Sequence, residues 1–227
     1  MQSESTPLPI LWSFRRCPYA IRARLGLHQA NMSVELREIV LRDKPDAFVA
    51  TSPSKTVPCL KLADGTVLDE SLDILLHALK QNDPAGWLTP ETGTLDEMLD
   101  LIHRLDGDFK GHLDAWKYAP KPTRKEPDVD CTTANRHRDA GLALLGELEK
   151  RLAAQTHLFG NRPTLADIAT APFVRQFATT DRVWWDAQNV PRLQAWLNRF
   201  ADSGDFEAVM EKYAPWEPGT EGVRFPA

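Results

Sequence analysis

The chain of 227 residues changes its patterning once, near residue 81, and that change restricts the fold more than any other feature. Up to residue 80, apolar runs of strand length alternate with segments of helical period; beyond residue 93 only the helical period persists. Residues 8–12 form a short apolar run, and 33–40 alternate, with Val34, Leu36 and Ile39 among polar neighbours. Residues 57–62 and 66–68 flank Asp64-Gly65, a hairpin turn signal. Between the first two strands, Pro18 opens a segment in which Ile21, Leu25 and His28 recur at helical spacing. Asp43, with Asp46 three residues on, can cap a short second helix, and Leu72, Leu75, Leu76 and Leu79 stripe a third. The order β-α-β-α-β-β-α predicts an α/β domain over 1–80 whose first two strands, joined by a helical crossover, are parallel neighbours.

Residues 81–93 carry Asn-Asp-Pro, Gly and Thr-Pro and read as a linker. Residues 94–227 then read as an all-helical domain. Leu95, Leu99, Ile102, Phe109, Leu113 and Trp116 mark one long helix, and Leu144, Leu148 and Leu152 step by four along a second. Thr164-Leu-Ala-Asp167 is a capping box ahead of an apolar stretch, and Leu193, Trp196, Leu197 and Phe200 stripe a later helix. The stretch 117–131, with Pro120, Pro122 and Pro127, separates two helices. Trp116, Trp184 and Trp185 read as core filling, with the lining of a second-substrate pocket as the alternative.

Composition removes several function classes. A net charge of −5 gives no footprint for a polyanion partner, and Lys121, Arg124 and Lys125 lie among prolines and acids as a solvated loop, so no nucleic acid is expected. Residues 1–9 lack the basic and apolar regions of a signal peptide, and no window reaches the ~18 apolar residues of a membrane span. Cys17, Cys59 and Cys131 are too scattered for a disulfide framework, which makes a reducing cytoplasm the expected compartment. The histidines and cysteines show no zinc-ligand spacing, so no metal is expected.

The chemistry gathers around Cys17. Pro18 is favoured at the first position of a helix, which puts Cys17 at the N-cap, where unpaired N–H groups and the helix dipole favour a negative charge. Arg15 and Arg16 add positive charge nearby, and all three features favour the thiolate, the nucleophilic form. Ala20 stands where a second cysteine would give an internal disulfide, so a reactive Cys17 must work through a mixed disulfide with a small thiol. Taken alone, Cys17 reads equally well as a small buried residue. Val57-Pro58 opens a strand; a cis bond there presents the Val57 backbone to an extended ligand, and a trans bond is an ordinary strand entry. At Glu70-Ser71 the third helix begins, where Ser71 and the helical N–H groups can hold a carboxylate and Glu70 can meet an ammonium; the bland reading is a helix cap. Lys44, at the expected start of the second helix, can pair with another carboxylate or stand as a surface lysine. Cys59 reads as core filler and Cys131 as an incidental thiol at a helix start.

Together, Phe14-Arg15-Arg16-Cys17-Pro18-Tyr19-Ala20, Asp43-Lys44-Pro45, Val57-Pro58, Asp69-Glu70-Ser71 and Asn161-Arg162-Pro163-Thr164-Leu165-Ala166-Asp167 resemble the glutathione transferase family. The similarity is greatest to its omega-like, cysteine-type branch, and it covers nearly the whole chain. The resemblance implies a thioredoxin-like N-terminal domain that binds glutathione as co-substrate, an all-α C-terminal domain, and a homodimer. It implies that Cys17 forms the mixed disulfide with glutathione, that Glu70 and Ser71 hold the γ-glutamyl end, that the Val57 backbone meets the cysteinyl part, and that Lys44 meets the glycyl carboxylate. Asp167 is implied as a helix cap that supports folding. Lys55-Thr56 stands where many relatives carry a glycine before Val-Pro, a departure in that loop.

The function implied is a glutathione-dependent thiol transferase or reductase of the deglutathionylating or dehydroascorbate-reducing type, with an unidentified second substrate. The nearest alternative is conjugation of glutathione to electrophiles, for which Ser13 lies upstream of the helix and Tyr19 inside it. A non-enzymatic adaptor with the same fold is the third reading.

Overall fold

The computed structural model describes residues 7–120 and 128–226. The N-terminal residues 1–6 of the signal-peptide reading, the cluster Lys121, Arg124 and Lys125, and Pro122 and Pro127 lie outside the described residues. The chain divides into two compact units, residues 1–86 with 202–227, and residues 87–201.

The first unit runs β1 (Ile10–Ser13), α1 (Pro18–Gln29), β2 (Val34–Glu38), α2 (Asp46–Thr51), β3 (Cys59–Lys61), β4 (Val67–Leu68) and α3 (Ser71–Gln81). The sheet has the order β4-β3-β1-β2-β5, with β5 (Val223–Phe225) contributed from far along the chain. β1 pairs with β2 in parallel, Leu11 opposite Leu36, and with β3 in antiparallel, Leu11 opposite Leu60. All three leucines are buried, as the alternation of a one-sided strand requires. Helix α1 lies so close to α3 that a Cβ on Gly26 would stand 2.9 Å from the Leu75 Cα, so only glycine fits there. Ile74, Leu75, Ala78 and Leu79 are the inward face of α3, while Leu72 and Leu76 are half-buried, which rotates the apolar stripe from the one the leucines alone suggest.

Two sequence expectations change in this unit. Helix α2 begins at Asp46, not at an Asp43 cap: Pro45 is extended (φ −59°, ψ 141°), and the residue before a proline is disfavoured in the helical region. The segment after residue 201, expected within the helical half, joins the first unit through α10 (Gly204–Val209) and β5. β5 pairs antiparallel with β2, Val34 opposite Phe225, and buries Phe225. Trp216 anchors the same segment, its ring 5.1 Å from that of Trp12 and its main-chain N–H donating to the Glu38 carbonyl at 2.8 Å. Three residues of strand with two of them exposed give too weak an alternation to be seen in sequence.

The second unit contains α4 (Leu95–Arg104), α5 (Lys110–Lys117), α6 (Thr132–Arg151), α7 (Leu165–Thr180), α8 (Arg182–Asp186) and α9 (Pro191–Ala201). The expected long helix over 95–116 is divided by a π-helical turn at Leu105–Phe109, where Gly107 offers the least resistance to the wider winding. On α6 the buried positions are Gly141, Leu145 and Leu148, and Leu144 faces solvent. Phe177 on α7 gathers Phe109, Trp116, Trp184 and Trp185 around it at ring distances of 4.7–6.1 Å, with Trp116 and Trp185 buried.

Candidate functional site

Cys17 is the N-cap of α1, with Pro18 at the first helical position. Its N–H donates to the Phe14 carbonyl at 3.0 Å, closing a tight turn over Phe14–Cys17, and its own carbonyl receives the Ile21 N–H at 2.9 Å. The half-buried thiol lies 3.7 Å from the Val57 carbonyl oxygen. It packs at the margin of an apolar cluster of Trp12, Ile39, Phe48, Val57 and Cys59. The Val57-Pro58 bond is cis.

A cavity of about 460 Å³ opens beside the thiol, lined by Cys17, Tyr19, Leu41, Lys44, Thr56, Val57, Pro58, Asp69, Glu70 and Ser71. Its size suits a small organic ligand. The structure thus brings Cys17, Lys44, Val57, Glu70 and Ser71 to one cavity, together with Asp69, whose role is not visible in its sequence motif. Asp69 accepts from Ser52 Oγ and from the Ser54 N–H, both at 2.7 Å. Burial pushes its carboxyl up, but the hydrogen bonds from Ser54 and Ser52 outweigh this and hold it below the usual range. Asp69 therefore stands as an anion that orders the loop 52–56.

Lys44 braces the same loop, donating from Nζ to the Lys55 carbonyl at 2.8 Å. Lys55 has φ +56°, a left-handed backbone. Glu70 is the exposed N-cap of α3 and makes no capping bond with its side chain. Ser71 is buried and accepts from Arg22 Nη1 at 3.3 Å. Arg22 and Arg24 are both 1% exposed, although in the sequence their spacing within a helical repeat looks like solvent-facing decoration. Arg24 donates to Ser13 Oγ at 2.6 Å and to the Arg15 carbonyl at 2.8 Å, while Arg16 is exposed and sits over the Phe14 ring at 5.5 Å.

The other thiols differ. Cys59 is fully buried, and burial first, then the charge and hydrogen bond of Asp69, push it up to about 12, so it holds its proton at neutral pH. Cys131 precedes α6 and its sulfur lies 3.5 Å from the Val129 carbonyl. Among the described residues no group of three or more His, Cys, Asp and Glu side chains could hold a metal, and no helix is long and apolar enough to cross a membrane.

A sheet of parallel and antiparallel strands with a thiol at the first helix start, a strand entered through Val57-Pro58 and a separate helical unit define a thioredoxin-like domain joined to an all-α one. Profiles of this class match the chain twice, "Glutathione S-transferase, N-terminal domain" over residues 11–86 and "Glutathione S-transferase, C-terminal domain" over 132–199. The chain belongs to the glutathione S-transferase family. It is 24% identical to Glutathione S-transferase AN1595 of Emericella nidulans, over 95% of this chain and 83% of that one. It is 22% identical to Glutathione S-transferase omega-1 of Sus scrofa, over 82% of this chain and 74% of that one. Among solved structures, a glutathione transferase family member from Pseudomonas fluorescens Pf-5 with two glutathione bound superposes with a TM-score of 0.77 at 20% identity, covering 92% of this chain and 95% of that one.

Proposed function

We propose that this glutathione S-transferase is a glutathione-dependent thiol transferase of the omega-like type, acting through a Cys17–glutathione mixed disulfide. The observation that carries the reading is the place of Cys17: a half-buried thiol at a helix N-cap, in the same cavity as Lys44, Glu70 and Ser71. That cavity offers a carboxylate for an ammonium, an ammonium for a carboxylate and a helix start for a second carboxylate, which is the charge pattern of glutathione. In the reading, Glu70 and Ser71 take the γ-glutamyl end, the Val57 backbone the cysteinyl part and Lys44 the glycyl carboxylate.

The Cys17 thiolate attacks the glutathione sulfur of a glutathionylated substrate. The substrate's S–S bond breaks, its thiol leaves, and Cys17 is left in a disulfide with glutathione. The thiolate of a second glutathione then attacks that disulfide, giving oxidised glutathione and restoring Cys17. The glutathionylated substrate and one glutathione thus give the free substrate thiol and oxidised glutathione. Protein deglutathionylation is this cycle as written; dehydroascorbate reduction shares its second half, two glutathione molecules there giving up two electrons in all and leaving as oxidised glutathione, and a reducing cytoplasm supplies the reductant. Conjugation calls on a hydroxyl beside the ligand thiol; Ser13 Oγ is buried and engaged by Arg24, so Tyr19, which lines the cavity, is the hydroxyl left to conjugation as the second reading.

Incubation with oxidised glutathione followed by peptide mass spectrometry tests the reading. The adduct is expected on Cys17 first, on Cys131 more slowly, and on Cys59 only after unfolding; an adduct that forms first on either of the other two overturns it. We further propose a homodimer on family grounds, to be checked by light scattering, where a 25.5 kDa particle at micromolar concentration would refute it.

A further inference from the structure

Arg15, two residues before the thiol, is held by both of its main-chain polar groups. Its N–H donates to Glu38 Oε1 at 2.6 Å, and its carbonyl accepts from Arg24 Nη2 at 2.8 Å. Arg24 Nη1 donates to Ser13 Oγ at 2.6 Å, which fixes the end of β1 as well. The turn clamped in this way is the one that closes on the Cys17 N–H. Its two clamps carry opposite charges and come from different elements, Arg24 from α1 and Glu38 from the end of β2.

Both clamps are buried, Arg24 at 1% and Glu38 at 8% exposure, and each keeps one polar atom, Arg24 Nε and Glu38 Oε2, without a hydrogen-bond partner. Buried charges so incompletely satisfied are poor sources of stability, since apolar residues of similar volume serve as well or better. Their use is to be sought in what they hold. Burial lowers Arg24 to about 10, with the charges of Glu38 and then Cys17 acting the other way, and burial raises Glu38. The arginine thus feels the sulfur that its own clamp positions.

We propose that Arg24 and Glu38 are positioning residues for Cys17: together they fix its turn, Arg24 supplies the buried positive charge that favours the thiolate, and Glu38 moderates that charge. The inference rests on reading Cys17 as the reactive thiol. The other titratable and charged groups around Cys17 are Arg15 and Arg16 on its own turn, Tyr19 and Arg22 on α1, Lys44 before α2, and Asp69 and Glu70 before α3. Tyr213 of the C-terminal segment faces the pair itself, and its hydroxyl donates to Glu211. All of these are common to every variant below, so differences between variants report on the pair.

The test is the rate of iodoacetamide alkylation at Cys17, mapped by peptide mass spectrometry from pH 5 to 9 on the full chain, with near-UV circular dichroism to confirm packing. Arg24→Gln is expected to move the midpoint of the pH–rate profile up by about one pH unit, and Glu38→Gln to move it down by a smaller step. Arg24→Lys keeps the charge and is expected to keep the midpoint. Opposite signs are the signature, because simple loosening of the turn moves both Gln variants the same way. Shifts of the same sign, or a native midpoint in Glu38→Gln, overturn the proposal. If Arg24→Gln does not fold, a lowered midpoint in Glu38→Gln beside a native one in Arg24→Lys supports it. Thiol transfer by Cys17→Ala separates the two readings: activity that persists there removes Cys17 as the nucleophile, while the alkylation midpoints still judge the clamp.

Discussion

At the start of α7, in the helical unit, the chain's own carboxylate fills the first turn; at the start of α3, in the α/β unit, no side chain does. Asp167 is buried and accepts four hydrogen bonds, from the Thr164 N–H (2.9 Å) and Oγ1 (2.7 Å), the Leu158 N–H (2.9 Å) and Trp196 Nε1 (2.7 Å). Glu70 is exposed and makes no capping bond, and Ser71 beside it faces a cavity. Both helix starts favour negative charge for the same electrostatic reason. One is answered from within and so contributes stability, whereas the other, in the function proposed above, receives a carboxylate from outside. The residue types alone do not separate these uses; the saturation of their hydrogen bonds does.

The sharpest break of this comparison is Cys17→Ala, which is expected to bring thiol transfer to background while glutathione binding stays measurable by calorimetry, because the proposed binding groups lie on other elements. Asp167→Ala comes next. Leaving several buried donors unpaired is expected to cost about 3–5 kcal/mol in urea unfolding, with glutathione affinity of the folded fraction unchanged. Glu70→Ala is the mirror image: affinity drops about 10- to 100-fold and the unfolding midpoint stays put. Were Glu70→Ala to lower stability and spare affinity, the two helix starts would have been assigned the wrong way round. Smallest is Lys44→Ala, an exposed charge, expected to weaken glutathione about two- to fivefold, with the loss fading at high salt.

The sequence marks the features whose signals are local. Cys17-Pro18 announces an N-cap because proline is tolerated at the next position, and the Thr164–Asp167 spacing announces α7 because the box is contained in four residues. The parallel pairing of β1 and β2 follows from the helix between them. Features that depend on partners distant in sequence stay hidden. Arg22 and Arg24 look like ordinary helix-surface arginines until α3 and β2 close over them, and Asp69 becomes a loop organiser only once Ser52 and Ser54 are brought to it. β5 has no signature of its own, since the edge of β2 decides its conformation.

That last pairing governs the order in which the molecule is made. In sequence, the whole helical unit, residues 87–201, comes between β2 and β5. As the chain leaves the ribosome, the helical unit has all its residues in hand while the sheet still lacks its outer strand and the Trp216 anchor. An uncovered strand edge is open to pairing with a foreign chain. The thiol-bearing unit is thus the first to be translated and the last to be closed, and any protection of the β2 edge before then must come from outside the sheet.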